Sequence, residues 1–145
     1  MWPFRKGALG LLWRSWLGSR ADEKLGPHGE QLARQCLCDK GLRILASNYR
    51  CPSGEADLIA LDESTRSSLG AETIVFVEVK TRTNDQYLPP QAAVDDAKRS
   101  QMRKVANYYL RTHDTAGYYR RFDIVAITIR QGQEPCIEHI ADAFE

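Results

Sequence analysis

The chain has 145 residues, 43% of them hydrophobic and 27% charged, which excludes a disordered or fibrous protein and is long enough for one core without disulfide staples. Its net charge of +1 hides an uneven distribution: residues 1–50 hold nine Lys/Arg against four Asp/Glu, and residues 51–80 hold two against six. Between Lys98 and Arg121 seven basic residues face the single acid Asp114. An acidic centre between basic segments suits a metal-dependent enzyme acting on a polyanion, although solvated helix faces give the same pattern.

In chain order, the first segment is "MWPFRKGALGLLWRSWLGSR". Its apolar run from Ala8 to Trp13 is short and is interrupted by Arg14, which argues against secretion or membrane spanning. Leu9, Leu12, Trp13, Trp16 and Leu17 repeat at helical spacing beside Arg5, Lys6, Arg14 and Arg20. They describe an amphipathic helix able to lie on a membrane surface, dock on a protein partner or pack on its own domain. Residues 1–24 are therefore set apart as an N-terminal extension and residues 25–145 as the domain proper.

A helix is predicted from Pro27 to Gly41, with Leu32, Ala33, Cys36 and Leu37 on one face. Strands follow at "LRILASNYR" and "EADLIALD", joined by the turn "CPSG". The polar connection "ESTRSSLGAE" leads to "TIVFVEVKTR", the most apolar strand and the expected centre of the sheet. After the loop "TNDQYLPP", Gln91 to Thr112 reads as a long helix packing through Ala93, Ala97, Val105, Tyr108 and Tyr109. "RFDIVAITI" is a fourth strand and "CIEHIADAF" a short final strand or turn. The order αβββαβ plus a C-terminal element predicts an α/β fold with a mixed sheet flanked by helices. Cys36, Cys38, Cys51 and Cys136 lack metal-ligand spacing, which points to free thiols in a reducing cytoplasm.

Within a strand, residues two apart share a face. Glu78 and Lys80 thus fall on one face of the third strand, Val77 and Val79 on the other. In the second strand Glu55, Asp57, Ile59 and Leu61 alternate with Ala56, Leu58 and Ala60. If the two strands form a hairpin, Asp57 lies near Glu78. Two close carboxylates repel unless a cation sits between them, and Mg²⁺ favours carboxylates, a carbonyl and water. Lys80 beside such an ion could orient the attacking water. A Glu78–Lys80 ion pair on an exposed face explains the same spacing, and spacing alone leaves both readings open.

Four blocks, "GEADLIA", "VFVEVKTR", "RFDIVAI" and "IEHIADAF", resemble the YraN family of small bacterial proteins, which is regarded as part of the PD-(D/E)xK nuclease superfamily and is similar to archaeal Holliday-junction resolvases. The likeness runs from about Gly26 to Phe144, with a longer connection between the second and third strands. It implies a restriction-endonuclease-like αβββαβ core over residues 25–145. It also implies Mg²⁺ or Mn²⁺ held by Asp57, Glu78, the carbonyl of Val79 and Glu30 of the first helix, with Lys80 beside the nucleophilic water. Where the family motif reads Gly-Glu-Ile-Asp, this chain has Ala56, expected to point away from the site. The superfamily's proline before the aspartate is absent.

Glu55, Gln91 and Tyr87 are secondary candidates: an acid on Asp57's face, a polar residue that with Lys98 stands near the start of the long helix, where members of the superfamily it resembles often present polar residues to the site, and a loop aromatic able to stack on an unpaired base. Arg82, Lys98, Arg99, Arg103 and Lys104 are placed as phosphate contacts. Asp123 is read as a structural position beside Arg121 or Arg120, and His28, His113 and His139 as structural. The resemblance implies hydrolysis of DNA phosphodiesters, branched DNA included, in repair or recombination in the cytoplasm. Resolvase-like relatives often act as homodimers. The alternatives are a non-catalytic nucleic-acid-binding module and an adaptor docking through its N-terminus.

Overall fold

The computed structural model describes residues 20–83 and 94–145, with side chains from residue 26 onward. The amphipathic helix expected around Leu9 to Leu17, together with Tyr87 and Gln91, lies outside the described residues. The elements are helix α1 (Arg20–Asp39), strands β1 (Arg43–Cys51) and β2 (Gly54–Asp62), the short helix α2 (Thr65–Leu69), strand β3 (Thr73–Arg82), helix α3 (Asp96–Thr112), and strands β4 (Tyr119–Thr128) and β5 (Cys136–Phe144).

The five strands form one sheet in the order β1-β2-β3-β4-β5. Only β3 and β4 run parallel, joined through α3; the other neighbours are antiparallel. The fold is thus α/β, with a mixed sheet flanked by helices and β3 at its centre. Alternation along the strands builds two cores. Ile59, Leu61, Ile74 and Phe76 pack with Met102, Val105, Ala106 and Tyr109 of α3. Leu58, Ala60, Val75 and Val77 pack with Ala33 and Leu37 of α1. Each such fully buried large side chain contributes about 1.5–3 kcal/mol, so α1 and α3 are held on opposite faces of the sheet. Among the described residues no helix is long and apolar enough to cross a membrane.

Several boundaries differ from expectation. Helix α1 begins at Arg20, so Pro27 lies inside it and the expected boundary at residue 24 falls within it. Proline fits a first helical turn, which suggested a start there, but it can also stand further in with the loss of one backbone hydrogen bond. Helix α3 starts at Asp96, because Asp95 is extended and its side chain accepts a hydrogen bond from the Lys98 N–H at 2.8 Å. That arrangement is an N-cap. On α3, Val105 and Tyr109 are buried as expected, joined by Met102 and Ala106, whereas Ala97 is exposed and Tyr108 only half-buried. The polar connection contains α2, and β5 is a full nine-residue strand.

Candidate active site

The β2–β3 ladder pairs Leu58–Asp62 with Thr73–Val77 and ends there. Beyond it, Glu78–Arg82 of β3 pair only with β4 among the ladders formed, while the start of β2 continues along β1. Asp57 stands at this fork. Its Oδ2 accepts a hydrogen bond from the backbone N–H of Val79 at 2.8 Å, a donor that the ended ladder leaves available. The backbone here is irregular: Asn48 of β1, lying between the Ser47↔Leu58 and Tyr49↔Ala56 pairs, has φ 51°, and Gly54 has φ 135°. Consistent with that irregularity, Ala56 packs in the same core as Ile59 and Leu61, correcting the expectation that it faces away from them.

Glu78 is 4% exposed. Its Oε1 lies 3.0 Å from Lys80 Nζ, which shares its face of the strand, and its Oε2 lies 3.3 Å from Lys98 Nζ of α3. The second contact is an attraction of charges outside hydrogen-bond angles, and among the described residues Oε2 accepts no hydrogen bond. An ionised oxygen buried without a directed donor is costly. Asp57 shares the strain: burial first, and then the negative charge of Glu78, push its carboxyl up to about 7. The Val79 N–H and the Lys98 charge oppose that rise, and the charge of Glu30 adds to it. Glu30 of α1 therefore acts on Asp57 through the field. Its neighbour Gly29 is buried against Thr81 of β3, where an added Cβ would collide with the threonine side chain.

The fork thus gathers Asp57, Glu78, Lys80 and Lys98, with Glu30 acting electrostatically. The orphan Oε2 and the raised Asp57 fit a hard divalent cation, which would satisfy the one and favour ionisation of the other. Among the described residues no three His, Cys, Asp or Glu side chains are grouped to hold a metal. Glu55 pairs instead with Arg50 on the exposed β1–β2 hairpin, 3.4 Å away.

Of the remaining basic candidates, Lys104 is exposed, and Arg82 donates to Thr128 Oγ1 of β4 at 3.1 Å. Arg99 and Arg103 both lie over the Phe144 ring, with Arg103 also donating to the Glu145 carbonyl at 2.6 Å. Gln101 of α3 packs its side chain over Gly54 at the start of β2, where a Cβ would meet it.

A second ionic cluster lies at the β2–β4–β5 side. Asp123, fully buried, accepts from Arg121 Nε (2.8 Å) and Nη2 (3.0 Å), from His139 Nε2 (2.8 Å) and from the Asp142 N–H (3.0 Å). Arg121 also reaches Asp62 Oδ2 at 2.8 Å. Every Asp123 oxygen is filled, and these bonds hold its carboxyl below the usual range against the opposing effect of burial. Of the two arginines expected beside Asp123, Arg121 is the partner, while Arg120 bonds Asn107 and lies over the Phe122 ring. The contrast with Glu78 separates a saturated structural cluster from an unsaturated one.

The family model described as "Uncharacterised protein family UPF0102" matches residues 29–127. The chain belongs to that family, the YraN family. Glu30, Asp57, Glu78, Lys80 and Lys98 all fall within the match. Among its relatives, each named UPF0102 protein, that of Syntrophus aciditrophicus is 45% identical over 84% of this chain and 89% of its own. That of Geobacter metallireducens is 44% identical over 86% and 94% respectively. That of Moorella thermoacetica is 42% identical over 82% and 93%.

Proposed function

We propose that the protein is a metal-dependent endonuclease that hydrolyses DNA phosphodiester bonds, with structured or branched DNA as its substrate. The observation that carries the reading is the Asp57–Glu78 pair at the fork of β2 and β3, where one buried carboxylate oxygen lacks a directed donor and the neighbouring carboxyl is pushed up to about 7. Asp57, Glu78 and the carbonyl of Val79 would hold Mg²⁺ or Mn²⁺. A divalent ion so bound supplies an acidified water and compensates negative charge at phosphorus.

The chain's own residues do the positioning. The Val79 N–H fixes the Asp57 carboxylate, and the Glu78–Lys80 ion pair fixes the ammonium beside it. Lys80 holds the attacking water by a hydrogen bond; that water gives up a proton to bulk solvent as its oxygen bonds to phosphorus, the opposite P–O bond breaks, and the leaving oxygen takes up a proton from bulk solvent. Glu30 completes the acidic field. Lys104 and the outer reach of Arg82, Arg99 and Arg103 contact backbone phosphates, an interaction indifferent to sequence and weakened by salt. Two copies on a two-fold symmetric junction would make paired cuts. Cytoplasmic work on DNA agrees with four free cysteines.

A non-cutting DNA-binding module is the competing reading, favoured by the absence of a three-ligand group among the described residues. Incubation of linear, flapped and four-way DNA with Mg²⁺ or Mn²⁺ decides between them. Wild type should cut, while Lys80→Ala and Asp57→Ala should bind DNA without cutting. Equal cutting by the variants, or none by wild type on any substrate, would remove the enzyme.

A further inference from the structure

We infer that Lys98 is a resident counter-ion that a divalent cation must displace to enter the site, an inference that rests on the metal reading above. Glu78 has two lysine partners of different character. Lys80 leaves the same strand two residues on and meets Oε1 at 3.0 Å. Lys98 comes from another element and lies 3.3 Å from Oε2 without making a hydrogen bond to it. The Lys98 charge also acts on Asp57, so one ammonium serves both carboxylates, as a shared cation would. Its backbone is anchored, since its N–H is bound by the Asp95 cap. Its side chain is a four-carbon stem that remains 22% exposed and so has a route to solvent.

A dication and an ammonium cannot both occupy the space facing Oε2, because like charges repel strongly in a site of reduced dielectric. Exchange also changes the local charge. Two ionised carboxylates with two lysines sum to zero; with a dication in place of Lys98 the inner site carries one positive charge, matched to a phosphodiester. Lys98, released, remains on the rim as a phosphate contact. The resting site therefore resists weakly bound cations, and a dication that enters it displaces Lys98 from Glu78.

The test is Mn²⁺ binding by calorimetry without DNA, comparing wild type, Lys98→Met and Lys98→Arg. Removing the competing charge should tighten Mn²⁺ binding by roughly tenfold, the scale of a partly buried charge pair, and Lys98→Arg should stay near wild type. The melting temperature of metal-free Lys98→Met should be lower, with a larger rise on adding Mn²⁺. If Lys98→Met does not fold without metal, Lys98→Gln reads the same comparison with a neutral donor. Equal or weaker Mn²⁺ binding by the neutral variants, with wild type binding normally, would overturn the counter-ion role alone. No Mn²⁺ binding by any of them would overturn the metal reading and this inference with it.

Discussion

Asp57 accepts a hydrogen bond from the Val79 N–H at 2.8 Å across the point where β2 and β3 stop pairing. One carboxylate thereby ties off an open ladder and is aimed at the residue beside Glu78. Its two duties can be separated by substitution. Asp57→Asn keeps an acceptor for Val79 and removes the repulsion from Glu78, so it should be at least as stable as wild type at neutral pH without metal. Asp57→Ala strands the N–H and should lose about 1–3 kcal/mol relative to Asp57→Asn. Urea unfolding of the three proteins measures this, and an Asn variant as unstable as the Ala variant would contradict it.

The same carboxyl sets a pH dependence. Its folded pKa, about 7, lies above its ordinary value of 3.8. Between those values the folded state holds a proton that the unfolded state has released, so the contribution is fully present below about pH 4 and is lost as pH rises through about 7. At about 1.4 kcal/mol per unit, the loss is on the order of 4 kcal/mol. Subtracting the stability profile of Asp57→Asn from that of wild type should show this decline over pH 4–8. Millimolar Mg²⁺ should flatten it, since the ion favours the ionised form. A flat difference would refute the raised carboxyl.

The saturated cluster behaves oppositely. Asp123 is held below its usual range, so its contribution is present above about pH 4 and is lost as pH falls through its lowered folded value. Asp123→Ala leaves Arg121 and His139 without their shared acceptor and should destabilise by about 3–5 kcal/mol. Thermal unfolding of Asp123→Ala beside Lys80→Ala checks the contrast: the former should melt far lower, and similar melting of the two would contradict the division between structural and site clusters.

Gly29 sets how closely α1 approaches β3, and with it the reach of Glu30. Gly29→Ala drives a Cβ into Thr81 and should lose about 1–3 kcal/mol through overpacking. Adding Thr81→Ala removes the nearest atom and should recover part of the loss. A double variant no more stable than Gly29→Ala would show that the helix is not seated by this contact.

What the sequence made legible was what depends on period. Glu78 and Lys80 on one face follow from two-residue alternation, and the 3.0 Å ion pair bears that out. The placing of β3 at the centre followed from its apolar run. What escaped was set by tertiary contact or irregular backbone. Ala56 sits with Ile59 and Leu61 where the backbone departs from regular alternation, near Asn48 and Gly54 with their positive φ. Lys98 is expected from the sequence both as a phosphate contact and as a polar residue near the start of the long helix facing the site; the β3–α3–β4 crossover brings it onto Glu78, a contact that pattern alone does not specify. The cover that Gln101 gives Gly54 is likewise revealed only by the packed helix. The antiparallel return of β5, whose register shifts beside Asp123, explains a structural aspartate that pattern alone could only pair with a neighbouring arginine.

The central claim is that Asp57 and Glu78 together hold a divalent cation, and the most direct measurement is a crystal structure of the protein with Mn²⁺, recorded at the manganese absorption edge. The account predicts one anomalous peak at the fork, bridged by the Asp57 and Glu78 carboxylates at about 2 Å, with Lys98 Nζ moved off Glu78 Oε2. A fork without a peak at saturating Mn²⁺, with Lys98 still in place, would contradict it.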